Sequence, residues 1–340
     1  MELPRNLRYS SDEEPGYYRE GEPGQFRYLD HAGQPVADEQ DRARIEAMVI
    51  PPMWTQVWIC ADDGGYVQCT GRDGRNRKQY VYHADYVAFR QAAKFRKMVE
   101  FASALPELRV RVDVALRKRK WTKERMLALT VRLLDRAHLR IGSRHYQREN
   151  ETYGLTTLRR RHVKDDDGPL RLCFKGKSNK FRQVTIRNRR LAKLVKQVAE
   201  LPGYQLFRYR DEDGNTQTLD SADVNEYLHE HMGDQFTAKD FRTWGGTSLA
   251  VKLYPQALAL QEATQRGRLE PKLVGLVAKE LGNTKSVCRQ YYIHPEVLAK
   301  AEAGELPHEL WTDHNRALEL APYERYTLRL IREYEDTGAA

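Results

Sequence analysis

The spacing of apolar residues changes near residue 90, and this change divides the chain into two unlike parts. Before it, short apolar runs alternate with turns rich in Asp and Gly. They predict hairpins over Phe26–Val36 and Trp54–Thr70 and a further strand at Lys78–Tyr82. After it, apolar residues recur at helical spacing, beginning with a helix over Tyr86–Ala102 that ends near Pro106. The sequence therefore predicts an α+β protein in which a small antiparallel sheet precedes a larger, mostly α-helical part.

The domain boundaries follow from this switch and from the length. A chain of 340 residues favours two domains. We predict a β-rich domain over residues 1–90, with an acidic, poorly ordered start and ordered structure beginning soon after Gly24. A linker or hinge helix is expected over 91–105, and a mostly helical domain over 106–340.

Capping residues and turns locate individual elements in the helical domain. Thr122 is expected to cap a helix that ends at Gly142. Two apolar runs around a basic turn predict a β-hairpin near 170–186, and the remainder is expected to be helical. In that remainder, a helix over Lys272–Leu281 is predicted to stop at Gly282, a suitable residue after a helix end.

Positive charge is concentrated near the domain boundary. The net charge is +9, and residues 72–98 hold eight Lys or Arg against two Asp, with Gln and Tyr interleaved. Such a patch suits phosphate and base-edge contacts and predicts nucleic-acid binding, with a solvated basic face as the alternative. No run approaches the roughly 20 apolar residues of a membrane-spanning helix, and residues 1–20 lack a signal peptide's pattern, which predicts a cytoplasmic protein.

Several enzyme classes are excluded by their missing motifs. Gly176-Lys177-Ser178 matches the end of a phosphate-binding P-loop, but the glycine required five residues earlier is replaced by Arg171. The chain has no H-E-x-x-H, paired acidic metal site or G-x-S-x-G. Its four cysteines show no C-x-x-C spacing and are expected to be buried free thiols. The sequence therefore predicts no nucleotide cofactor and no metal.

Two local patterns carry candidate chemistry. A capping-box-like spacing at Thr237–Asp240 predicts a helix start, and Lys239 and Arg242 share one face near it, where an anion such as phosphate is favoured. The alternative is a pair of surface charges. Tyr291 and Tyr292 stand at a helix end before Pro295, where either could be a nucleophile, although adjacent tyrosines usually belong to a core.

Read in order, short segments of the chain resemble the small type IB DNA topoisomerases of bacteria and poxviruses. Ile50–Trp54 and Gly71–Tyr80 resemble that family's N-terminal DNA-clamping domain. Five later segments resemble its catalytic segments: Leu139-Arg140-Ile141-Gly142, Phe174-Lys175-Gly176-Lys177-Ser178, Lys239-Asp240-Phe241-Arg242-Thr243-Trp244, Leu281-Gly282-Asn283-Thr284 and Tyr292-Ile293-His294-Pro295.

The resemblance implies which residues form the site. The implied catalytic residues are Arg140, Lys177, Arg242, Asn283 and Tyr292. Asn283 departs from the histidine of many relatives and provides a neutral donor instead of a cationic one. The implied DNA contacts are Gln79, Tyr80 and Tyr82, and we add Lys78 because of its positive charge. Lys239 is expected to assist in the site or to contact the neighbouring phosphate.

The resemblance also implies a reaction. Supercoiled duplex DNA is relaxed by transient cleavage of one strand through a 3′-phosphotyrosyl intermediate at Tyr292, strand rotation and religation, without ATP or metal. Arg140 and Arg242 would stabilise the charge of the phosphorane, and Lys177 would protonate the leaving 5′ oxygen. The implied fold has the catalytic domain that type IB topoisomerases share with tyrosine recombinases. A monomer is expected to close on duplex DNA as a C-shaped clamp, at the nucleoid if the source is bacterial.

Two alternatives stay open. A tyrosine site-specific recombinase shares the catalytic logic, but it usually carries His-x-x-Arg where this chain has Lys239-x-x-Arg242, and a helical N-terminal domain where residues 26–82 predict hairpins. A non-catalytic protein that binds duplex DNA would be expected to lack a catalytic side chain, and none is missing.

Overall fold

The computed structural model describes residues 2–166, 168–264, 267–309, 311 and 318–337, and it comprises two compact units, 1–94 and 95–340. The first unit contains β1 (Gly16–Glu20), β2 (Arg27–Leu29), α1 (Glu39–Ala47), β3 (Thr55–Cys60), β4 (Val67–Arg72), β5 (Lys78–Tyr82) and the start of α2 (Ala84–Arg117). The second contains the rest of α2 and the elements that follow it.

Those elements are α3 (Lys123–Ala137), α4 (Arg144–Asn150), β6 (Val163–Lys164), β7 (Arg171–Lys175), β8 (Phe181–Thr185), α5 (Arg189–Glu200), β9 (Arg208–Arg210), β10 (Thr216–Thr218), α6 (Ser221–Met232), α7 (Asp240–Thr264), α8 (Leu269–Leu281), α9 (Lys285–Tyr291), α10 (Pro295–Glu302) and α11 (Pro322–Asp336). The α+β fold class is thus confirmed, with an antiparallel sheet first and helices after it.

The five strands of the first unit form one antiparallel sheet in the order β2-β1-β3-β4-β5. The expectation that ordered structure begins after Gly24 is wrong, because β1 lies inside this sheet. Gly16 allows the close approach, since a Cβ there would collide with the Ile59 carbonyl and the Trp58 ring. The Trp58 indole also donates to the Glu14 carbonyl at 3.0 Å, which fixes the segment before β1.

The second unit has two apolar cores. One is built on α2, α3, α5, α6 and β7, and the other on α7, α8 and α10, while α11 contributes side chains to both. The hairpin β7–β8 is confirmed, and β6 extends it to three strands. The pair β9–β10 was not expected, because its short polar strands carry no apolar period. Of the four free cysteines, three are buried and Cys173 is half-buried.

Two helix ends differ from those expected. Helix α2 does not end near Pro106, because Leu105 and Leu108 on either side of it are buried and hold the helix together despite the lost backbone hydrogen bond. The predicted hinge at 91–105 lies inside this helix. Helix α3 ends at Ala137 and not at Gly142, since His138 takes a left-handed conformation with φ of 48°.

A buried ionic cluster joins three helices of the second unit. Arg109 of α2 donates to Asp135 of α3 and to Glu324 of α11, at 2.7 and 2.8 Å for its Nη2 atom. The indole of Trp244 on α7 also donates to Glu324, at 3.3 Å. Each charge has a partner, as a buried charge requires. No helix among the described residues is both long and apolar enough to cross a lipid bilayer.

Candidate active site

The site is built around the C-terminal end of α8. Gly282 follows the helix in the left-handed conformation, with φ of 61°. The Asn283 N–H donates to the Ala278 carbonyl at 3.0 Å, and the Gly282 N–H donates to the Lys279 carbonyl at 3.3 Å, the two bonds of a Schellman motif. This ending leaves the carbonyls of residues 279–282 facing outward as acceptors.

Three arginines from separate parts of the chain donate to these carbonyls. Arg182 of β8 donates to Lys279 at 3.4 Å and to Glu280 at 3.1 Å. Arg242 of α7 donates to Leu281 at 3.1 Å, and Arg140, from the segment after α3, donates to Gly282 at 3.4 Å. The partial negative charge of the helix end therefore gathers three guanidiniums.

Asn283 connects two of these guanidiniums. Its Oδ1 accepts from Arg140 Nη2 and, at 3.2 Å, from Arg242 Nη2. Because guanidiniums only donate, these two bonds fix which end of the amide is oxygen. The Asn283 Nδ2 is consequently a donor of known direction, and it is buried without an acceptor among the described residues, as is Arg242 Nε.

No carboxylate of the described residues forms an ion pair with the arginines of this cluster. None of Arg140, Arg182 and Arg242 has a carboxylate oxygen within 4.0 Å among the described residues. Burial, and after it the nearby guanidinium of Arg242, lower the pKa of Arg140 to about 10, while Tyr292 opposes the change. Burial also lowers the pKa of Arg242. The site is therefore poised to accept an anion, which would restore the stability of the charged forms.

Tyr292, the first residue after α9, lies beside this cluster. The Arg242 guanidinium stands over its ring, 5.2 Å from the ring centre. Its carbonyl accepts from Thr247 Oγ1 at 3.0 Å, and the same hydroxyl accepts from the His294 N–H at 3.1 Å. Gly246 gives the backbone room, because a Cβ there would lie 2.8 Å from the Tyr292 Cβ. Tyr291, by contrast, is 47% exposed.

Two predicted site residues stand apart from the cluster. Lys177 is exposed in the tight turn between β7 and β8, where Ser178 and Asn179 are both left-handed and the Gly176 N–H donates to the Lys180 carbonyl at 2.8 Å. Lys239 is exposed directly before α7. Neither side chain has a hydrogen bond or ion pair with another described residue. The structure thus brings together Arg140, Arg242, Asn283 and Tyr292, and leaves both lysines at the surface.

The predicted DNA contacts of the first unit lie on the edge strand β5. Lys78, Tyr80 and Tyr82 are exposed on one face of it, and the two tyrosine rings stack with centroids 5.7 Å apart. Lys78 is ion-paired with Asp12 at 2.7 Å. Gln79 points to the opposite face and donates to Asp73 at 3.0 Å, so it is not grouped with the other three.

Comparisons with known proteins bear directly on this arrangement. The family model "Eukaryotic DNA topoisomerase I, catalytic core" matches residues 83–310, and "Bacterial DNA topoisomerase IB, N-terminal domain" matches residues 25–73. DNA topoisomerase 1B of Acanthamoeba polyphaga mimivirus is 34% identical over 280 residues, which are 81% of this chain and 81% of that protein. The chain belongs to the type IB DNA topoisomerase family.

Other relatives of this type IB topoisomerase are more distant. DNA topoisomerase 1B of vaccinia virus (strain Copenhagen) is 21% identical over 230 residues, 67% of this chain and 70% of that protein. Among solved structures, the XerH site-specific recombinase bound to difH substrate, in a pre-cleavage complex, is 17% identical with a TM-score of 0.34, over 58% of this chain and 51% of that one. The expected family and enzyme class, a type I DNA topoisomerase, are confirmed by the family models and the mimivirus relative.

Sequence reasoning missed two residues that shape the site of this topoisomerase. Thr247 holds the backbone on both sides of Ile293, and Arg182 joins the hairpin to the end of α8. No local signal could have revealed either one. Thr247 is a helix-interior threonine, and Arg182 is one basic residue of a basic hairpin, so their roles depend on partners 45 and 98 positions away.

Proposed function

We propose that this topoisomerase relaxes supercoiled duplex DNA by cutting one strand at Tyr292, letting the free end rotate and resealing the strand. The main support for this proposal is the cluster of hydrogen-bond donors at the end of α8, whose positive charge is not paired with a described carboxylate. Among the described residues, Arg140 and Arg242 donate only to neutral oxygens, and Asn283 Nδ2 and Arg242 Nε have no acceptor. A phosphodiester supplies both the negative charge and the acceptor oxygens that the cluster lacks.

In this proposal, each group acts on one part of the phosphodiester. Arg140 and Arg242 donate to the non-bridging oxygens, whose charge grows as the Tyr292 oxygen approaches phosphorus. Asn283 Nδ2 adds a neutral donor to the same oxygens.

The cleavage step exchanges one ester bond for another. The Tyr292 oxygen bonds to phosphorus, the phenolic proton passes to solvent water, and the bond from phosphorus to O5′ breaks. Lys177 gives the leaving O5′ its proton, a transfer that a permanently charged arginine could hardly make. Religation is the reverse, with O5′ attacking the 3′-phosphotyrosyl ester. Because the energy of the broken bond is retained in the new one, no ATP is needed, and in this proposal the guanidiniums of Arg140 and Arg242 supply the positive charge that a metal ion would otherwise supply at the phosphate.

The partner we propose is duplex DNA, contacted by both units of one monomer. Lys78, Tyr80 and Tyr82 form an exposed basic and aromatic strip suited to phosphate and base-edge contacts. Gln79, the fourth contact that the family resemblance implies, lies on the opposite face and would have to leave Asp73 to reach the same duplex. Lys239 contacts a phosphate beside the cleaved one. A DNA-acting enzyme of this kind belongs in the cytoplasm, or at the nucleoid in a bacterium.

The test is relaxation of a supercoiled plasmid in EDTA without ATP, by the wild type, Tyr292→Phe and Tyr291→Phe. The wild type and Tyr291→Phe are expected to relax the plasmid, and Tyr292→Phe is expected to be inactive. Tyr291→Phe is the matched control, because it removes the same hydroxyl one residue away. A wild type that binds the plasmid without changing its linking number would overturn the proposal and favour a non-catalytic DNA-binding protein or a recombinase that needs paired sites.

A further inference from the structure

The turn that carries Lys177 is connected to the site through one side chain. Arg182 lies on β8, across from Phe174 of β7, and its guanidinium ends on the carbonyls of Lys279 and Glu280. These carbonyls belong to the last turn of α8, which ends at Leu281. Gly282 and Asn283 follow directly. Arg182 therefore connects the β7–β8 hairpin, whose turn carries Lys177, to the end of α8, which Asn283 follows.

The contact is close on both sides. A Cβ on Gly282 would occupy the same space as the Arg182 guanidinium, so the absence of a side chain at Gly282 is what admits the arginine. On the hairpin side, a Cβ on Gly176 would lie 3.1 Å from the Arg182 Cγ. Two glycines thus line the path of this side chain, one directly before Lys177 and one directly before Asn283.

The surroundings of Arg182 suit positioning better than free phosphate binding. Both of its hydrogen bonds go to helix-end carbonyls, which satisfies acceptors that the helix cannot satisfy internally. Burial lowers the pKa of Arg182, and the nearby charge of Arg242 lowers it further. Lys177 itself has no hydrogen bond or ion pair within the described chain, so among the hydrogen bonds of the described residues it is Arg182, and not the tip, that links the hairpin to α8.

We propose that Arg182 is a positioning residue that seats the Lys177 hairpin on the end of α8 and thereby sets where Lys177 meets the leaving O5′. The inference rests on the proposed function and extends it to a residue outside the five predicted catalytic ones. Its signature is a defect confined to the proton transfer, because Arg182 acts through Lys177 and touches neither phosphorus nor the attacking oxygen.

The test is single-turnover cleavage of a labelled duplex by the wild type, Arg182→Ala, Arg182→Lys and Lys177→Ala. We expect Arg182→Ala to cleave about 10²-fold more slowly, which is the low end of the loss of a general acid. The lysine of Arg182→Lys can still donate to one of the two carbonyls, so we expect its cleavage rate to lie between those of the wild type and Arg182→Ala. Arg171→Ala is the matched control, because Arg171 lies at the other end of the same hairpin and forms an ion pair with the exposed Asp166, away from α8.

A second substrate separates positioning from charge stabilisation. Where sulfur replaces O5′, the leaving group is a thiolate, whose conjugate acid has a pKa of about 8.5, and it needs no proton from Lys177. Both Lys177→Ala and Arg182→Ala are expected to cleave this substrate at close to the wild-type rate. The double variant is expected to be no slower than Lys177→Ala on the normal substrate, since the two residues act on one step.

Each outcome decides the proposal. If Arg182→Ala stays slow on the sulfur substrate, the arginine acts on the phosphate itself and the inference is wrong. If Arg182→Ala cleaves the normal substrate as fast as Arg171→Ala, the hairpin does not depend on it. If circular dichroism shows that Arg182→Ala does not fold, the same comparison is made with Arg182→Lys. A wild type that cleaves neither substrate would instead contradict the proposed function.

Discussion

The acceptors around a buried arginine decide what the residue can do. Arg109 is enclosed by the carboxylates of Asp135 and Glu324, and although burial works against its charge, these partners raise its pKa. Arg140 and Arg242 are enclosed by carbonyl and amide oxygens, and their pKa values are lowered. The charge of Arg109 is neutralised by its two carboxylates, whereas Arg140 and Arg242 form no ion pair with a described carboxylate, which is why we propose that their charge serves a ligand.

At the same scale, Asn283 offers a test of the donor geometry. Replacement by Asp keeps the shape and the acceptor for both guanidiniums but turns the free Nδ2 donor into a charged oxygen, which repels a phosphoryl oxygen. We expect Asn283→Asp to slow single-turnover cleavage by about 10²–10³-fold, the usual loss for one donor to a developing oxyanion.

The control is Asn188→Asp, the same exchange at the N-cap of α5, where Asn188 accepts from the Leu191 N–H and a carboxylate is equally suitable. This variant is expected to cleave normally. Equal rates for Asn283→Asp and the wild type would show that Nδ2 does not face the scissile phosphate.

At the scale of elements, strands and helix ends with strong local chemistry were predictable. The alternation in Lys78–Tyr82 specified β5, and Asp38 and Thr284 are N-caps whose side chains accept from the backbone of α1 and α9. Gly282 ends α8 in the left-handed conformation that glycine favours. In each case the determining contacts lie within a few residues, and the sequence displays them.

Features set by distant contacts were not predictable. Strand β1 depends on Trp58, which lies some forty residues away, and the continuity of α2 at Pro106 depends on burial that only the folded core provides. In the site, four of the five predicted catalytic residues surround the end of α8, but the arginines reach it from separate segments. The order of short motifs along the chain was enough to identify these catalytic residues. Their positions relative to one another could be seen only in the folded structure.

The ionic cluster that joins α2, α3 and α11 yields a prediction about stability. Asp135→Asn leaves Arg109 with one carboxylate in a buried place, and breaking such a pair costs about 3–5 kcal/mol. We expect a loss of that size in the free energy of unfolding in urea. Glu107→Gln, which breaks the exposed Glu107–Arg111 pair on α2, is the control and is expected to cost less than about 1 kcal/mol.

The same pair predicts a pH dependence. Burial would raise the pKa of Asp135, but the charges of Arg109 and Arg136 outweigh it and hold the pKa well below its ordinary value. The carboxylate therefore stabilises the fold above its unfolded pKa of about 3.9, and this contribution declines as the pH falls below that value. The stability difference between wild type and Asp135→Asn is expected to be smaller at pH 3 than at pH 7. An unchanged difference would contradict this.

At the scale of the whole molecule, the two units contribute different chemistry. The first presents the strip of Lys78, Tyr80 and Tyr82, and the second gathers residues from Arg140 to Tyr292 around one helix end. The net charge of +9 makes an anionic polymer a suitable partner. In the proposed function, the first unit supplies a surface that holds DNA, and the second supplies a cluster that reacts with one of its phosphates.

The central claim is that Tyr292 forms a covalent ester with the 3′ phosphate of a cut strand. The most direct measurement uses a duplex whose cleaved strand loses a short downstream piece, so that religation fails and the adduct accumulates. With a label on the 5′ end of that strand, we expect labelled protein, a mass shift confined to the peptide containing Tyr292, and no adduct for Tyr292→Phe. A label that travels with the protein from the 3′ end, or an adduct that persists in Tyr292→Phe, would contradict it.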